Sequence, residues 1–122
     1  ITGFGLLGHL LEMMKASSTN AVLEFNKIKF LNGTVELAMS GNIPGGTKDN
    51  FNFTKMDVSY IKEISDIKRF LLNDAQTSGG LLISVPQNKS QKLIEMLLKR
   101  RVESTHIIGE VINAEKVKIS VK

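Results

Sequence analysis

Two rhythms of apolar residues run along this chain. Leu6, Leu7, Leu10, Leu11 and Met14 recur at the spacing of one helix face, which predicts a helix over Phe4–Ala16 capped by Thr2. Ser17 to Asn20 end it, and Ala21, Leu23 and Phe25 then alternate as they would along a strand. A short helix is expected over Thr34–Ser40, stopped by Gly41. Asn42 to Thr54 is polar and glycine-rich, and Pro44 argues against helix continuation, so an irregular region is expected there. Val58–Ile64 suggests a strand, interrupted by Lys62 and Glu63. Ser65 is placed to cap a helix over Asp66–Leu72 that buries Ile67, Phe70 and Leu71.

In the second half, Leu81-Leu82-Ile83-Ser84-Val85 has the run of an interior strand. Asn88 and Gln91 fit a capping box that opens a helix reaching about Arg100, with Leu93, Ile94, Leu97 and Leu98 as its stripe. Ile107–Ile112 reads as a strand. Asn113-Ala114-Glu115 turns it into Lys116–Val121, where Val117, Ile119 and Val121 alternate with polar residues, a pattern that suits an edge strand with one wet face. Long connections and interleaved helices imply an α+β fold, a mixed sheet covered by helices.

Length and composition narrow the picture. A chain of 122 residues supports one core. The absence of cysteine excludes disulfides, thiolate metal sites and a cysteine nucleophile within it. No apolar run is long enough to span a bilayer and nothing resembles a signal peptide, which fits a cytoplasmic protein. The net charge of +4 could attract phosphate or nucleic acid. Much of it lies between Lys89 and Arg101, and no aromatic residue occurs from Lys89 to Lys122 to stack on bases. A solvated helix face is therefore the better reading of that run. The methionines read as core filler.

Candidate chemistry concentrates in three glycine-rich stretches: Thr2-Gly3-Phe4-Gly5-Leu6-Leu7-Gly8-His9, Pro44-Gly45-Gly46-Thr47-Lys48-Asp49-Asn50 and Gln76-Thr77-Ser78-Gly79-Gly80. Glycine and small hydroxyl residues leave backbone N–H groups uncovered, the way a main chain wraps phosphate. The first stretch also fits G-x-G-x-x-G through Gly3, Gly5 and Gly8, with Glu24 near the end of the next strand where a ribose ligand would sit. The strand that should precede a dinucleotide turn is missing. The second stretch also has the residues of a surface turn. Asp74 could make an Asx-turn ahead of the third. His9 alone is more often packed or capping than catalytic, and His106 has no partner at ligand spacing.

Taken in order, Ile1-Thr2-Gly3-Phe4-Gly5-Leu6-Leu7-Gly8-His9-Leu10 with Glu12-Met13, Pro44-Gly45-Gly46-Thr47-x-x-Asn50-Phe51, Gln76-Thr77-Ser78-Gly79-Gly80-Leu81-Leu82 and Ile108-Gly109-Glu110-Val111 resemble the C-terminal domain of the selenophosphate synthetases. These belong to the aminoimidazole-ribonucleotide-synthetase-like superfamily. The resemblance covers essentially the whole chain and implies the α+β C-terminal domain of that superfamily, paired with an N-terminal ATP-binding domain that these residues lack. It implies a homodimeric, cytoplasmic enzyme converting ATP, selenide and water to selenophosphate, AMP and phosphate, with magnesium. The family's magnesium-binding Asp would lie immediately before Ile1, and its Cys or selenocysteine nucleophile in the N-terminal half. No catalytic residue and no metal ligand is therefore expected in these residues, and neither ATP nor Mg2+ is expected to bind them tightly alone. The resemblance places Thr2, Gly3, Gly5, Gly45, Gly46, Thr47, Asn50, Gln76, Thr77, Ser78, Gly79 and Gly80 on loops that line or close the nucleotide cleft. Ala75, Lys29 and Asn32 depart from the family's usual prolines. Two other readings stay open: an NAD-type fragment using Gly3, Gly5, Gly8 and Glu24, and a basic RNA- or partner-binding module on the Lys89–Arg101 helix. Neither a membrane nor a nucleic acid is the expected partner.

Overall fold

A computed structural model describes residues 1–113 and 118–122. Its elements in chain order are α1 (Gly5–Ser17), β1 (Thr19–Leu23), a single 3-10 turn at Phe25–Lys27, α2 (Thr34–Met39), α3 (Gly45–Thr54), β2 (Val58–Tyr60), α4 (Asp66–Leu72), α5 (Gln87–Lys99), β3 (Gly109–Asn113) and β4 (Ile119–Val121). The four strands make one mixed sheet in the order β2-β4-β1-β3. β1 runs parallel to β4 and antiparallel to β3, and β4 runs parallel to β2. The α+β class expected from the sequence is the class observed.

One face of the sheet is closed by α1. Leu7, Leu10, Leu11 and Met14 are buried on that helix and pack with Ala21 and Leu23 of β1, Val58 of β2 and Ile119 and Val121 of β4. Each aliphatic side chain so removed from water is worth about 2 kcal/mol. Ile64 and Leu72 join the same core and fasten α4 to it. Ser18 ends α1 in the left-handed conformation, so the chain reverses directly into β1. The helices α3 and α4 flank α1, and α2 rests against α4.

Several expectations need correction. Residues 45–54 are helical, because Pro44 occupies the position just ahead of the first turn, where its missing N–H and fixed φ cost nothing. The strand expected over Val58–Ile64 is only three residues long: Ile61 N–H still bonds to Val121 C=O, and Ile64 N–H already closes a turn onto Ile61 C=O. In β4, Ile119 and Val121 face the core with Ser120 on the outer side, but the strand is interior, between β2 and β1, rather than an edge. The remainder of that predicted hairpin, residues 114–117, lies outside the described residues.

The largest difference is Leu81–Val85. It forms no strand, and Leu81 and Ile83 are 88% and 49% exposed. An apolar run becomes a strand only where a neighbour supplies the other half of the ladder. Here the sheet runs β2-β4-β1-β3, and neither of its open edges, β2 or β3, takes this run as a partner. α5 begins after Pro86 with no side-chain cap, so the Asn88–Gln91 capping box is absent, and none of its residues is fully buried. By contrast, Ser65 caps α4 as expected, its Oγ accepting from the Lys68 N–H. That helix buries Leu71 and Leu72, while Ile67 and Phe70 are half-buried.

Tyr60 closes β2 beneath Arg69, whose guanidinium carbon lies 5.1 Å from the ring centroid. Burial pushes its phenol above the ordinary value of 10.0, outweighing the lowering effects of the Asn73 hydrogen bond and the Arg69 charge. A phenol raised in the folded state holds its proton more tightly there than in the unfolded chain. Its contribution is therefore complete below pH 10 and is lost as pH rises through the raised value. Urea melts of Tyr60→Phe should lose less stability than the parent between about pH 9.5 and 11.5. Parallel alkaline limbs would contradict this reading.

Candidate functional site

The three glycine-rich stretches meet at one edge of the molecule. Residues 1–2 lie alongside the third stretch: the Gln76 N–H donates to Thr2 C=O at 3.1 Å and the Gly79 N–H to Ile1 C=O at 3.1 Å, while the Ile1 nitrogen donates to Gly80 C=O at 2.7 Å. α3 brings the second stretch to the same place. The Asn50 carboxamide donates to Gly3 C=O at 2.7 Å and to Asn73 C=O at 3.0 Å. A Cβ on Gly46 would stand 3.6 Å from that of Ala75. Bends far apart in sequence thus share one rim.

A buried polar latch holds the rim together. Thr47 Oγ1 donates to Asp74 Oδ1 at 2.8 Å and accepts from the Ala75 N–H at 3.3 Å, tying the first turn of α3 to the chain leaving α4. Thr54 Oγ1 donates to Asn73 Oδ1 at 2.8 Å, and Asn73 Nδ2 donates to Arg69 C=O at 2.8 Å. Asn73 and Thr54 are fully buried and Thr47 nearly so. Such groups are tolerated inside only because each polar atom has a partner.

The predicted residues therefore divide by what they touch. The Thr47 and Asn50 side chains face inward onto protein partners and fix the bends. Gly5 has φ +66°, and a Cβ there would lie 2.8 Å from three backbone atoms of Asn73 and Asp74. Gly79 lies so close to the Gln76 side chain and Ile1 C=O that a Cβ has no room. Among the described residues, the amides of Gly3, Gly45, Gly46, Thr77, Ser78 and Gly80 donate no hydrogen bond. Gly3, Gly45, Gly46, Thr77, Ser78 and Gly80 are all exposed. Gly45 and Gly46 open the ten-residue α3, where the helix dipole adds partial positive charge.

Thr2 Oγ1 is 3.0 Å from His9 Nε2, and His9 Nδ1 is 3.1 Å from Glu12 Oε2. Beside this chain stand two half-exposed rings, Phe4 and Phe53, stacked with centroids 6.3 Å apart. Phe4 also touches the His9 imidazole, with centroids 5.6 Å apart. The sequence alone reads His9 as packed or capping, and nothing in it points to Asn73. The i, i+3 spacing of His9 and Glu12 was a visible signal. Nothing local marks Asn73 as the centre of the latch. Among the described residues no group of three or more His, Cys, Asp or Glu side chains could hold a metal ion. His106 lines a shallow groove of about 390 Å³ with Lys27, Lys29 and Gln91, away from the glycine-rich bends. No helix among the described residues is long and apolar enough to cross a membrane.

The dinucleotide reading does not survive the topology. β1, the strand after the glycine-rich helix start, runs antiparallel to β3, so the sheet is not the parallel βαβ array that the fingerprint requires. Glu24, its expected ribose ligand, pairs with Lys27 at 2.8 Å, and that bond holds its carboxyl below the ordinary range.

The mixed sheet, the helix set on it and the rim of glycine-rich bends define a recognised domain class. The family model described as AIR synthase related protein, C-terminal domain, matches residues 1–122, and the chain belongs to that family. Within it the chain is similar to proteins named selenide, water dikinase, in keeping with the resemblance read from the sequence. It is 42% identical over 113 residues to that of Clostridioides difficile, covering 92% of this chain and 32% of the relative. To that of Caldanaerobacter subterraneus subsp. tengcongensis it is 43% identical over 124 residues, covering 100% and 35%. To that of Carboxydothermus hydrogenoformans it is 38% identical over 122 residues, again covering 100% and 35%. The chain spans about a third of the length of the curated relatives it matches.

Proposed function

We propose that this chain is the C-terminal lobe of a selenophosphate synthetase, the enzyme that converts ATP, selenide and water to selenophosphate, AMP and phosphate. Its partner is an N-terminal ATP-binding domain of the same protein, and the intact enzyme is a homodimer. The observation that carries the reading is the single rim on which the three glycine-rich stretches converge, in a chain similar throughout its length to proteins of that name.

In this reading the lobe supplies main-chain donors rather than an acid, a base or a nucleophile. The amides of Gly3, Gly45, Gly46, Thr77, Ser78 and Gly80 are uncommitted and lie on exposed residues, with the start of α3 contributing its dipole to an approaching polyphosphate. Thr47, Asn50 and Gln76 act one step back, fixing the bends so that the donors are already arranged when the nucleotide arrives. Phe4 and Phe53 give the edge of the rim an apolar border against which the N-terminal domain packs.

The test is direct. The purified 122-residue chain should fold and give no selenide-dependent AMP from ATP, whereas the full-length protein that contains it should. AMP production by the isolated chain would overturn the assignment of the chemistry to the other lobe. A full-length protein that turns over ATP without any dependence on selenide would overturn the function.

A further inference from the structure

The geometry points to a role for three side chains that the main-chain reading of the rim leaves unused. We propose that Glu12 and His9 set the Thr2 hydroxyl as a hydrogen-bond acceptor at the rim, where it positions a water molecule. The inference rests on the functional reading above, because a reaction that consumes water needs that water held beside the phosphates.

The argument starts from donor and acceptor inventory. An ionised carboxylate can only accept, so the contact of Glu12 Oε2 with His9 Nδ1 at 3.1 Å puts the proton on Nδ1. A neutral imidazole carries one N–H, so Nε2 is then an acceptor. In that tautomer the Thr2 hydroxyl, 3.0 Å from Nε2, donates its proton to the ring nitrogen. Thr2 Oγ1 is left with lone pairs and no proton to offer. It repels bare phosphate oxygen and accepts from a water or another protonated group. The surrounding amides are all donors, so this oxygen is the complementary element among them.

The chain is held from several sides. Glu12 sits one turn beyond His9 on α1, the spacing at which two side chains meet. Phe4 leans on the imidazole with centroids 5.6 Å apart. The Thr2 main chain is pinned through its carbonyl, which accepts from the Gly5 and Gln76 amides. His9 and Glu12 do not face the rim themselves through these bonds. They are positioning residues that act through Thr2.

The tautomer is measurable without any turnover. At about pH 8, 15N-labelled chain should show His9 as the Nδ1–H form. His9→Asn assigns the signals, since His106 is the only other histidine. Glu12→Gln should shift the population away from that form. A His9 that is mainly Nε2–H in the parent chain would overturn the proposal whatever the fate of the selenophosphate reading. In the full-length protein, Thr2→Val should lower kcat by about 10-fold at little change in KM for ATP, while Thr2→Ser keeps most activity. His9→Gln, whose carbonyl reaches the Nε2 position, should retain more activity than His9→Asn. Equal losses in Thr2→Val and Thr2→Ser, or no loss in Thr2→Val, would count against the proposal. A protein with the Nδ1–H tautomer but no selenide dependence would fail the functional reading alone.

Discussion

Gly5→Ala should destabilise the domain by about 3–5 kcal/mol. Two costs combine. Alanine in the left-handed region costs about 1–2 kcal/mol relative to an ordinary conformation. In addition, the new Cβ would stand 2.8 Å from Asn73 C, Asn73 O and Asp74 O, all backbone atoms that cannot swing aside. The start of α1 would have to lift off the end of α4, and with it the pairing of residues 1–2 against 76–79. Gly45→Ala is the matched control, since nothing lies within 4 Å of a Cβ there and its φ is not positive. Thermal melts of the two variants should separate clearly; a Gly5→Ala protein as stable as Gly45→Ala would show that the close approach is absent in solution.

Asn73→Ala should cost about 3 kcal/mol through a different mechanism. Its carboxamide is fully buried and joins Thr54 Oγ1 to Arg69 C=O. Truncation leaves the Thr54 hydroxyl only its longer contact with Phe51 C=O at 3.3 Å and takes the side-chain donor from Arg69 C=O, and a poorly satisfied buried group costs about 1–3 kcal/mol. The double variant Asn73→Ala/Thr54→Val removes both ends of that bond and should recover part of the loss. Equal stability of the single and double variants in chemical denaturation would contradict the latch.

The fold class was legible because the first half of the chain keeps a clean rhythm. The stripe from Leu6 to Met14 became α1, and Ser65 capped α4 as its hydroxyl predicted. What could not be read was anything that depends on a partner distant in sequence. Leu81–Val85 looks like a buried strand because its residues are apolar, yet ladder pairing is a property of two segments. Pro44 reads as a helix breaker in sequence, although the same ring geometry also suits a helix start. At the site, the glycine-rich bends stood out by composition. The division of labour among them did not, because whether Thr47 and Asn50 face a ligand or Asp74 and Gly3 is decided by how α3 docks. Asn73 carries no local signature, since a short polar residue after a helix is an ordinary helix ending.

In the proposed function, bends scattered through the sequence form one polyphosphate-facing rim. The measurement that tests it most directly is backbone amide mapping by NMR of the full-length protein, labelled, with and without MgATP. The amides of Gly3, Gly45, Gly46, Thr77, Ser78 and Gly80 should shift together and saturate at one nucleotide concentration. Shifts confined to the groove of Lys27, Lys29 and His106, or none on this lobe while the nucleotide binds, would contradict it.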